Sequence, residues 1–302
     1  MEKYGPSDVT VLLEGETGCG KELVAGQLHL HSNRSDSEMV VVSGAELNSH
    51  LGQDALFGHT HGAYTGTARD REGFVKAADH GTLFLDDVSD LSPEVQPLLL
   101  RFLETGDFMR LGSDERQRVD VRVIAATNHN LSELIKQGKI RSDLYYRLQV
   151  ATIKVPPLRD RREDIPLLVE HFARRQSIRL LGREITLDAE CVDHFISRNW
   201  PGNVRELRNA VIRVILTHGA REKITSSEVR AVLDQESGGT PVMHGTLGEL
   251  ETEFRRDCII HALNVAGGNI TRAAETLGVD RARLSRLISE FNLRDFARHL
   301  AE

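Results

Sequence analysis

Cysteine is scarce in this chain: Cys19, Cys191 and Cys258 are the three in 302 residues, and none belongs to a CxxC pair. That spacing excludes a disulfide framework and a cysteine-ligated zinc site, and free thiols fit a reducing compartment. Long apolar runs are missing too. No stretch reaches the roughly 18 residues of a membrane span. The N-terminal MEKYGPSDV also lacks the apolar core of a signal peptide, so a cytoplasmic protein with no membrane partner is expected. Positive charge is not in excess: the net charge of −7 excludes a chain coated in basic surface, so any nucleic-acid contact must be local. There is no internal repeat and no low-complexity tract. What remains is an ordinary globular composition, 40 % hydrophobic and 27 % charged, with length for one large domain and one or two small ones.

The apolar residues fall into two patterns. Over residues 9–130 short runs rich in Val, Ile and Leu (VTVLLEG, EMVVVSG, GTLFLDDV, VDVRVIAATN) alternate with amphipathic stretches such as KELVAGQLHL and PEVQPLLLRFLE. That alternation predicts an α/β fold, a parallel sheet covered on both faces. Over 165–235 the reading turns helical, as for a small lid. ESGGTPVMHGT, residues 236–246, mixes Gly, Pro, Ser and Thr without periodicity and reads as a linker. The expected domains are therefore 1–160, an α/β core; 161–235, an α-helical lid; 236–246, the linker; and 247–302, an all-α unit.

Gly15, Glu16, Thr17, Gly18, Cys19, Gly20 and Lys21 form GxxxxGK between a predicted strand over 9–13 and a helix from Lys21. In that context the glycines let backbone N–H groups surround phosphate oxygens, the helix start adds positive potential, and Lys21 reaches the terminal phosphates. Glu22 stands where a hydroxyl ligand for magnesium usually follows. Thr82 to Leu85 run into Asp86 and Asp87, two carboxylates at the sheet edge where α/β folds bind ligands. One can hold magnesium and the next can orient a water against the γ-phosphate; the alternative is that both acids cap the following helix. A further strand over 121–126 ends at Thr127 and Asn128, whose amide can sense the same phosphate. The HxH pairs His29/His31 and His59/His61 have no acid or thiol cluster at ligand spacing and are read as ordinary polar positions.

GETGCGKE, HTHGAYTGT, GTLFLDD, VDVRVIAATN, RSDLYYRL, VPPLRDRREDIP and WPGNVRELRN, in this order, resemble the AAA+ domain of bacterial enhancer-binding proteins, the activators of sigma-54 RNA polymerase. The resemblance covers about residues 9–232. It implies an ATPase using ATP and magnesium, with Lys21 on phosphate, Asp86 on magnesium, Asp87 in place of the water-activating glutamate, and Asn128 as sensor. Arg141 and Arg147 match arginine fingers that reach a neighbouring subunit's nucleotide, and Arg205 matches the lid's sensor arginine. Arginines acting in trans imply a ring, for this family usually a hexamer. Gly62, Ala63, Tyr64, Thr65, Gly66 and Thr67 match the loop that grips sigma-54, with Tyr64 at the position of the usual phenylalanine. The bland reading of these arginines is surface ion pairing, for Arg205 with Glu206.

Helices are predicted over 249–263, 270–277 and 281–291, with Gly278-Val279 as the turn between the last two. This resembles the Fis-type helix-turn-helix, implying contact with upstream double-stranded DNA. Leu284, Leu287, Ile288 and Phe291 form one buried stripe. The other face offers Arg281, Ala282, Arg283, Ser285, Arg286 and Ser289 to a major groove, and Asp280 caps the helix.

Four departures from the family pattern matter. Asp87 is one methylene shorter than the usual glutamate, so slow hydrolysis is expected, since about 1 Å of misplacement can cost ~100-fold. Ser43 replaces the asparagine that clamps that glutamate, and Lys76 replaces a glutamate. Only fourteen residues precede Gly15, so either the adenine is loosely held or the chain starts upstream of Met1. If the chain is complete, no sensory domain is expected before the ATPase, which leaves control to expression, an inhibitor protein or a co-subunit. The leading expectation is an ATP-driven activator of sigma-54 polymerase. The alternatives are an ATP-binding regulator with little hydrolysis, acting as a repressor, and a co-subunit of a mixed ring.

Overall fold

Val11, Leu12 and Leu13 are fully buried, and they alternate between two apolar clusters on opposite faces of one sheet. Val11 and Leu13 join Phe84, Ile124 and Ala126 on one face, and Leu12 joins Leu83, Leu85, Val123 and Ala125 on the other. A strand buried on both faces has no polar side to display, which is why its sequence is a continuous apolar run. The computed structural model describes residues 4–48, 51–64, 69–218, 223–234, 259, 262–263, 266, 269–291 and 293. The chain divides into two units, residues 1–235 and 236–302.

The first unit begins with β1 (Val11–Glu14), α1 (Lys21–Leu30), β2 (Met39–Ser43), α2 (Gly52–Phe57), β3 (Gly58–His59), β4 (Arg71–Glu72), α3 (Phe74–Ala77) and β5 (Thr82–Asp86). It continues with α4 (Val95–Thr105), β6 (Asp107–Met109), β7 (Arg116–Arg118), β8 (Arg122–Thr127), α5 (Leu131–Lys136), α6 (Ser142–Leu148) and β9 (Ala151–Lys154). The central sheet is parallel, in the order β2-β5-β8-β1-β9. The phosphate loop leaves the C-terminal end of β1, between β8 and β9. Helix α1, through Ala25 and Leu28, covers one face; α2 to α6 pack on the other.

The register corrects two predicted strands. Val11 pairs with Ile124 and Glu14 with Thr127, so β1 starts two residues after Val9, which is 37 % exposed. Strand β8 likewise runs one residue later than 121–126. Its first residue, Arg122, is buried, and its guanidinium donates to the carbonyls of Tyr4, Gly5 and Leu28 at 2.6, 2.9 and 3.2 Å. A charge in the core is tolerable only when so partnered; the effect is to fasten the segment before β1 to the sheet.

The lid comprises α7 (Ile165–Leu181), β10 (Thr186–Leu187), α8 (Ala189–Ile196), α9 (Asn203–His218), β11 (Lys223–Ile224) and α10 (Ser226–Asp234). It has its own core, in which Val169 and Ala173 of α7 meet Leu207, Val211 and Val214 of α9, and Phe195 stacks on Trp200. Two short paired strands interrupt the predicted all-helical reading.

In the second unit α11 (Ile270–Thr276) and α12 (Arg281–Glu290) enclose Ala273, Ala274, Leu284 and Ile288 together with Ile259, Ala262, Leu263 and Leu293. Leu287 and Phe291 complete the predicted stripe as partly buried neighbours. The 236–246 linker and most of the 249–263 helix lie outside the described residues. Among the described residues no helix is long and apolar enough to cross a membrane.

Candidate functional site

Between β1 and α1 the chain turns through Gly18 at φ +76° and Gly20 at φ +102°, conformations open to glycine and strained for any residue with a Cβ. Lys21, 8 % exposed, folds its ammonium back into the turn and donates to the carbonyls of Gly15 and Glu16 at 2.8 and 3.2 Å. Cys19 is buried, its thiol pushed up by burial, and its carbonyl accepts from Arg161 Nη2 at 2.5 Å. The loop is thus a glycine cradle with one enclosed cation, the form that accepts phosphate.

Asp86 ends β5 opposite Ser43. Burial pushes its carboxyl above the ordinary range, partly offset by Lys21. Asp87 follows in the left-handed region, φ 65° and ψ 66°, and accepts a hydrogen bond from Ser89 Oγ. Gly44 makes this turn possible: its N–H donates to Asp86 O at 2.6 Å, and a Cβ there would lie 2.0 Å from Asp87 O. Ser43 Oγ accepts from Ala45 N–H at 3.3 Å, so it is turned into its own loop. Asn128 Nδ2 donates to Thr17 Oγ1 at 2.9 Å, while its Oδ1 is buried with no partner among the described residues. Asp86 and Asp87 are adjacent hard oxygen donors of the kind magnesium takes, although among the described residues no group of three or more His, Cys, Asp or Glu is gathered closely enough to hold a metal ion.

The lid closes directly on this loop. A Cβ on Gly18 would meet Gly202 O at 2.5 Å and Arg205 Cβ at 3.0 Å, and Val204 N–H donates to Gly18 O at 3.0 Å. Asn203, buried and at φ +55°, spends its amide on both sides: Nδ2 donates to Glu16 Oε2 and Thr17 O, each at 3.1 Å, and Oδ1 accepts from Leu158 N–H at 2.7 Å. Glu16 is also gripped by Arg159 at 2.6 and 2.8 Å, so its side chain faces the lid. Glu206 accepts from Gly202 N–H at 2.6 Å, and an Arg205–Glu206 bridge is not among the ion pairs of the described residues. Arg205 is near enough to Asp86 to lower its pKa. Glu22, at the start of α1, acts on Asp86 in the opposite sense.

Arg141 and Arg147 lie on α6 and the residue before it. Arg141 pairs with Asp143 at 2.7 Å, both side chains about half exposed, and Arg147 donates to Leu103 O at 2.7 Å. Neither has a hydrogen bond to the phosphate loop of its own chain among the described residues.

The glycine-threonine loop springs from a hub that composition had concealed. Asp54 of α2, 1 % exposed, accepts from His59 Nδ1, from Arg71 Nη1 at 3.1 Å and from Tyr64 Oη at 3.4 Å. His59 reaches Arg69 O through Nε2 at 3.0 Å and meets Tyr64 edge-on. One buried acid therefore ties both arms of the loop and its aromatic ring. Gly62 turns at φ +79° with open space beyond its Cα, and Ala63 packs on Gly112. Thr65, Gly66 and Thr67 lie outside the described residues. His29, likewise read as an ordinary polar position, is buried and bonded to Thr82 Oγ1 and Ser37 O.

On the second unit Gly278 turns at φ +63°, and Asp280 Oδ1 accepts from Arg283 N–H at 2.8 Å, capping α12. Arg281, Ala282, Arg283, Ser285 and Arg286 are exposed along α12, and Ser289, half-buried, donates to Ser285 O at 2.9 Å. Asn269 Oδ1 accepts from Thr271 and Arg272 N–H at 3.0 and 3.2 Å, capping α11.

A parallel sheet with a glycine loop at its C-terminal edge, two acids on the adjoining strand and a helical lid over the loop defines a P-loop nucleotide-binding protein, here joined to a helical unit. Residues 1–154 match the sigma-54 interaction domain, 159–244 the AAA+ ATPase lid domain and 252–291 the bacterial regulatory protein, Fis family. The transcriptional regulatory protein ZraR of Salmonella typhimurium is 44 % identical over 290 residues, covering 93 % of this chain and 64 % of its own. The anaerobic nitric oxide reductase transcription regulator NorR of Citrobacter koseri is 39 % identical, covering 97 % and 60 %. The crystal structure of NtrX from Brucella abortus in complex with ATP has a TM-score of 0.67 at 35 % identity, covering 96 % of this chain and 65 % of that one. The chain belongs to the sigma-54 interaction domain family, and it spans less than two thirds of the curated relatives it matches.

Residues 54, 59, 71, 89 and 203 carry no role in the sequence reading. Asn203 stands inside the quoted WPGNVREL, and its only signal was position in that motif. Asp54, His59 and Arg71 are single polar residues that meet only in the folded loop, and Ser89 is a hydroxyl two residues after the carboxylate it bonds.

Proposed function

We propose that this protein is an ATP-driven, DNA-binding transcription activator that remodels sigma-54 RNA polymerase to open promoters, and that it works in the cytoplasm. The observation that carries the reading is the convergence of Lys21, Asp86, Asn128 and Arg205 on one glycine loop. ATP is the substrate: Gly15 to Lys21 cradle its phosphates, and Asp86 would hold magnesium. When bound, that ion supplies charge neutralisation on the phosphate oxygens. Asp87 orients the attacking water and takes its proton. Asn128 has a free oxygen for the same water, and Arg205 brings positive charge from the lid.

Arg141 and Arg147 are turned outward and serve the nucleotide of a neighbouring copy, so turnover requires a ring, for this family usually a hexamer. The loop around Tyr64 contacts sigma-54. Arg281, Ala282, Arg283, Ser285, Arg286 and Ser289 face upstream double-stranded DNA. Phosphate release by the purified protein with ATP, magnesium and DNA is expected to rise more steeply than linearly with protein concentration. Absence of release at every concentration overturns the reading, and a strictly linear rise overturns the trans role of the two arginines.

One observation favours a second reading, an ATP-binding regulator with little hydrolysis that acts as a repressor or completes a mixed ring. Ser43 Oγ accepts from Ala45 N–H, and among the described residues it makes no hydrogen bond to Asp87. Restoration of turnover only on mixing with an intact relative is its expected signature.

A further inference from the structure

Asp87 needs something to hold it. Its backbone sits in the left-handed region at φ 65°, held there by the close approach of Gly44, and an aspartate has two side-chain torsions to settle. The neighbours best placed by sequence do not settle them. Ser43 Oγ is engaged by Ala45 N–H at 3.3 Å, and the Asn128 amide donates to Thr17 Oγ1 at 2.9 Å. Asp86 and Asp90 are acids, and Asp90's own carboxyl is pushed up by burial and by the charge of Asp87. Among the described residues the side-chain donor that reaches Asp87 is Ser89, whose Oγ–H donates to Oδ1.

We propose that Ser89 is the positioning residue for Asp87, the part that Ser43 leaves unfilled. With Oδ1 tied to Ser89, the carboxylate plane is fixed and Oδ2 is the oxygen presented to the reacting water. The proposal rests on the reading of Asp87 as the water-orienting carboxylate. In that step the water oxygen forms its bond to the γ-phosphorus as the bond to the bridging oxygen breaks. The water proton passes to Oδ2, and ADP and phosphate leave. A hydroxyl two residues ahead of the carboxylate replaces a clamp that would have come from the neighbouring strand, and it moves with the carboxylate because both belong to one turn. The hold is therefore local to the turn, where a clamp from another strand depends on how that strand is placed.

The test is steady-state hydrolysis by full chains of wild type, Ser89→Ala, Ser89→Thr, Asp87→Asn and the double variant Asp87→Asn/Ser89→Ala, with fluorescent-nucleotide affinity measured alongside. Ser89→Ala is expected to lower kcat about tenfold with KM and nucleotide affinity unchanged. Ser89→Thr keeps the hydroxyl and restores kcat to within about twofold. The double variant is expected to be no slower than Asp87→Asn, because Ser89 acts through the carboxylate. A Ser89→Ala enzyme with wild-type kcat, or a further loss in the double variant, overturns the positioning role while leaving Asp87 in place. Full turnover by Asp87→Asn, or an inert wild type, overturns the reading of Asp87 and the role of Ser89 with it.

Discussion

Asn203 Nδ2 lies 3.1 Å from Glu16 Oε2 and 3.1 Å from Thr17 O, so one buried amide joins the phosphate loop to the first turn of the lid helix α9. Asn203→Ala removes that amide and the acceptor for Leu158 N–H, and leaves a Cβ residue other than Asn at φ +55°. A loss of about 3 kcal/mol is expected from the unpaired buried groups and the strained backbone, read as a lower urea midpoint at unchanged m-value, together with weaker ATP binding.

The Glu16 end of the same contact titrates. Arg159, and then Asn203, hold its carboxyl down from the ordinary 4.5 to about 2. Because the folded pKa is the lower one, the unfolded chain takes the proton first as pH falls. The stabilisation is complete above 4.5 and is lost between 4.5 and about 2. The difference in Tm between wild type and Glu16→Gln should be constant from about pH 7 to about pH 5 and shrink below.

Gly44 is the floor under Asp87. A methyl group there would sit 2.0 Å from a backbone oxygen, and backbone cannot swing aside as a side chain does. Gly44→Ala is expected to cost about 3 kcal/mol and to abolish phosphate release, measured by chemical denaturation and by a coupled phosphate assay.

Tyr64 and Asp54 separate grip from support. Tyr64→Phe loses a hydroxyl contact 3.4 Å long, worth about 0.5 kcal/mol, and keeps the ring, so transcription from a sigma-54 promoter is expected to persist. Tyr64→Ala should abolish transcription and leave ATP binding intact. Asp54→Ala strands His59 and Arg71 and is expected to lower stability by about 2 kcal/mol, with transcription lost in parallel.

On α12 the exposed arginines should be distinguishable from the cap. Arg281→Ala and Arg286→Ala are each expected to weaken DNA binding and to reduce the slope of log K against log salt by about 1 if they contact phosphate. Asp280→Ala should leave the slope unchanged and cost about 1 kcal/mol of helix stability.

Much of the nucleotide site was legible because its determinants are local. The glycines at 18 and 20 impose their own turn, the apolar run before them is a buried strand and the amphipathic run after them a helix, and Asp280 caps a helix whose N–H is three residues away. Arg122, Asp54 and Asn203 were not legible. Arg122 is a charge in a strand and meets carbonyls 117 and 118 residues back; nothing in VDVRVIAATN distinguishes it from a surface arginine. His59 and Arg71 are unremarkable until Asp54 is found beneath them. Asn203 bonds to Glu16 across 187 residues; Glu206 accepts from Gly202 N–H, and an ion pair of Arg205 with Glu206 is not among those of the described residues.

The sequence by itself determined the elements and the chemistry: where strands end in acids, where glycine permits a phosphate cradle, which arginines lie on one helix face. Those follow from side-chain period and backbone freedom, which act over a few residues. Only the tertiary structure decided which polar groups are committed to one another. Ser43 Oγ accepts from Ala45 N–H while Ser89 donates to Asp87, Glu16 faces the lid, and Tyr64 rests on a buried acid. A buried polar group must find a partner wherever the fold brings one, and the partner is chosen by packing across the whole unit.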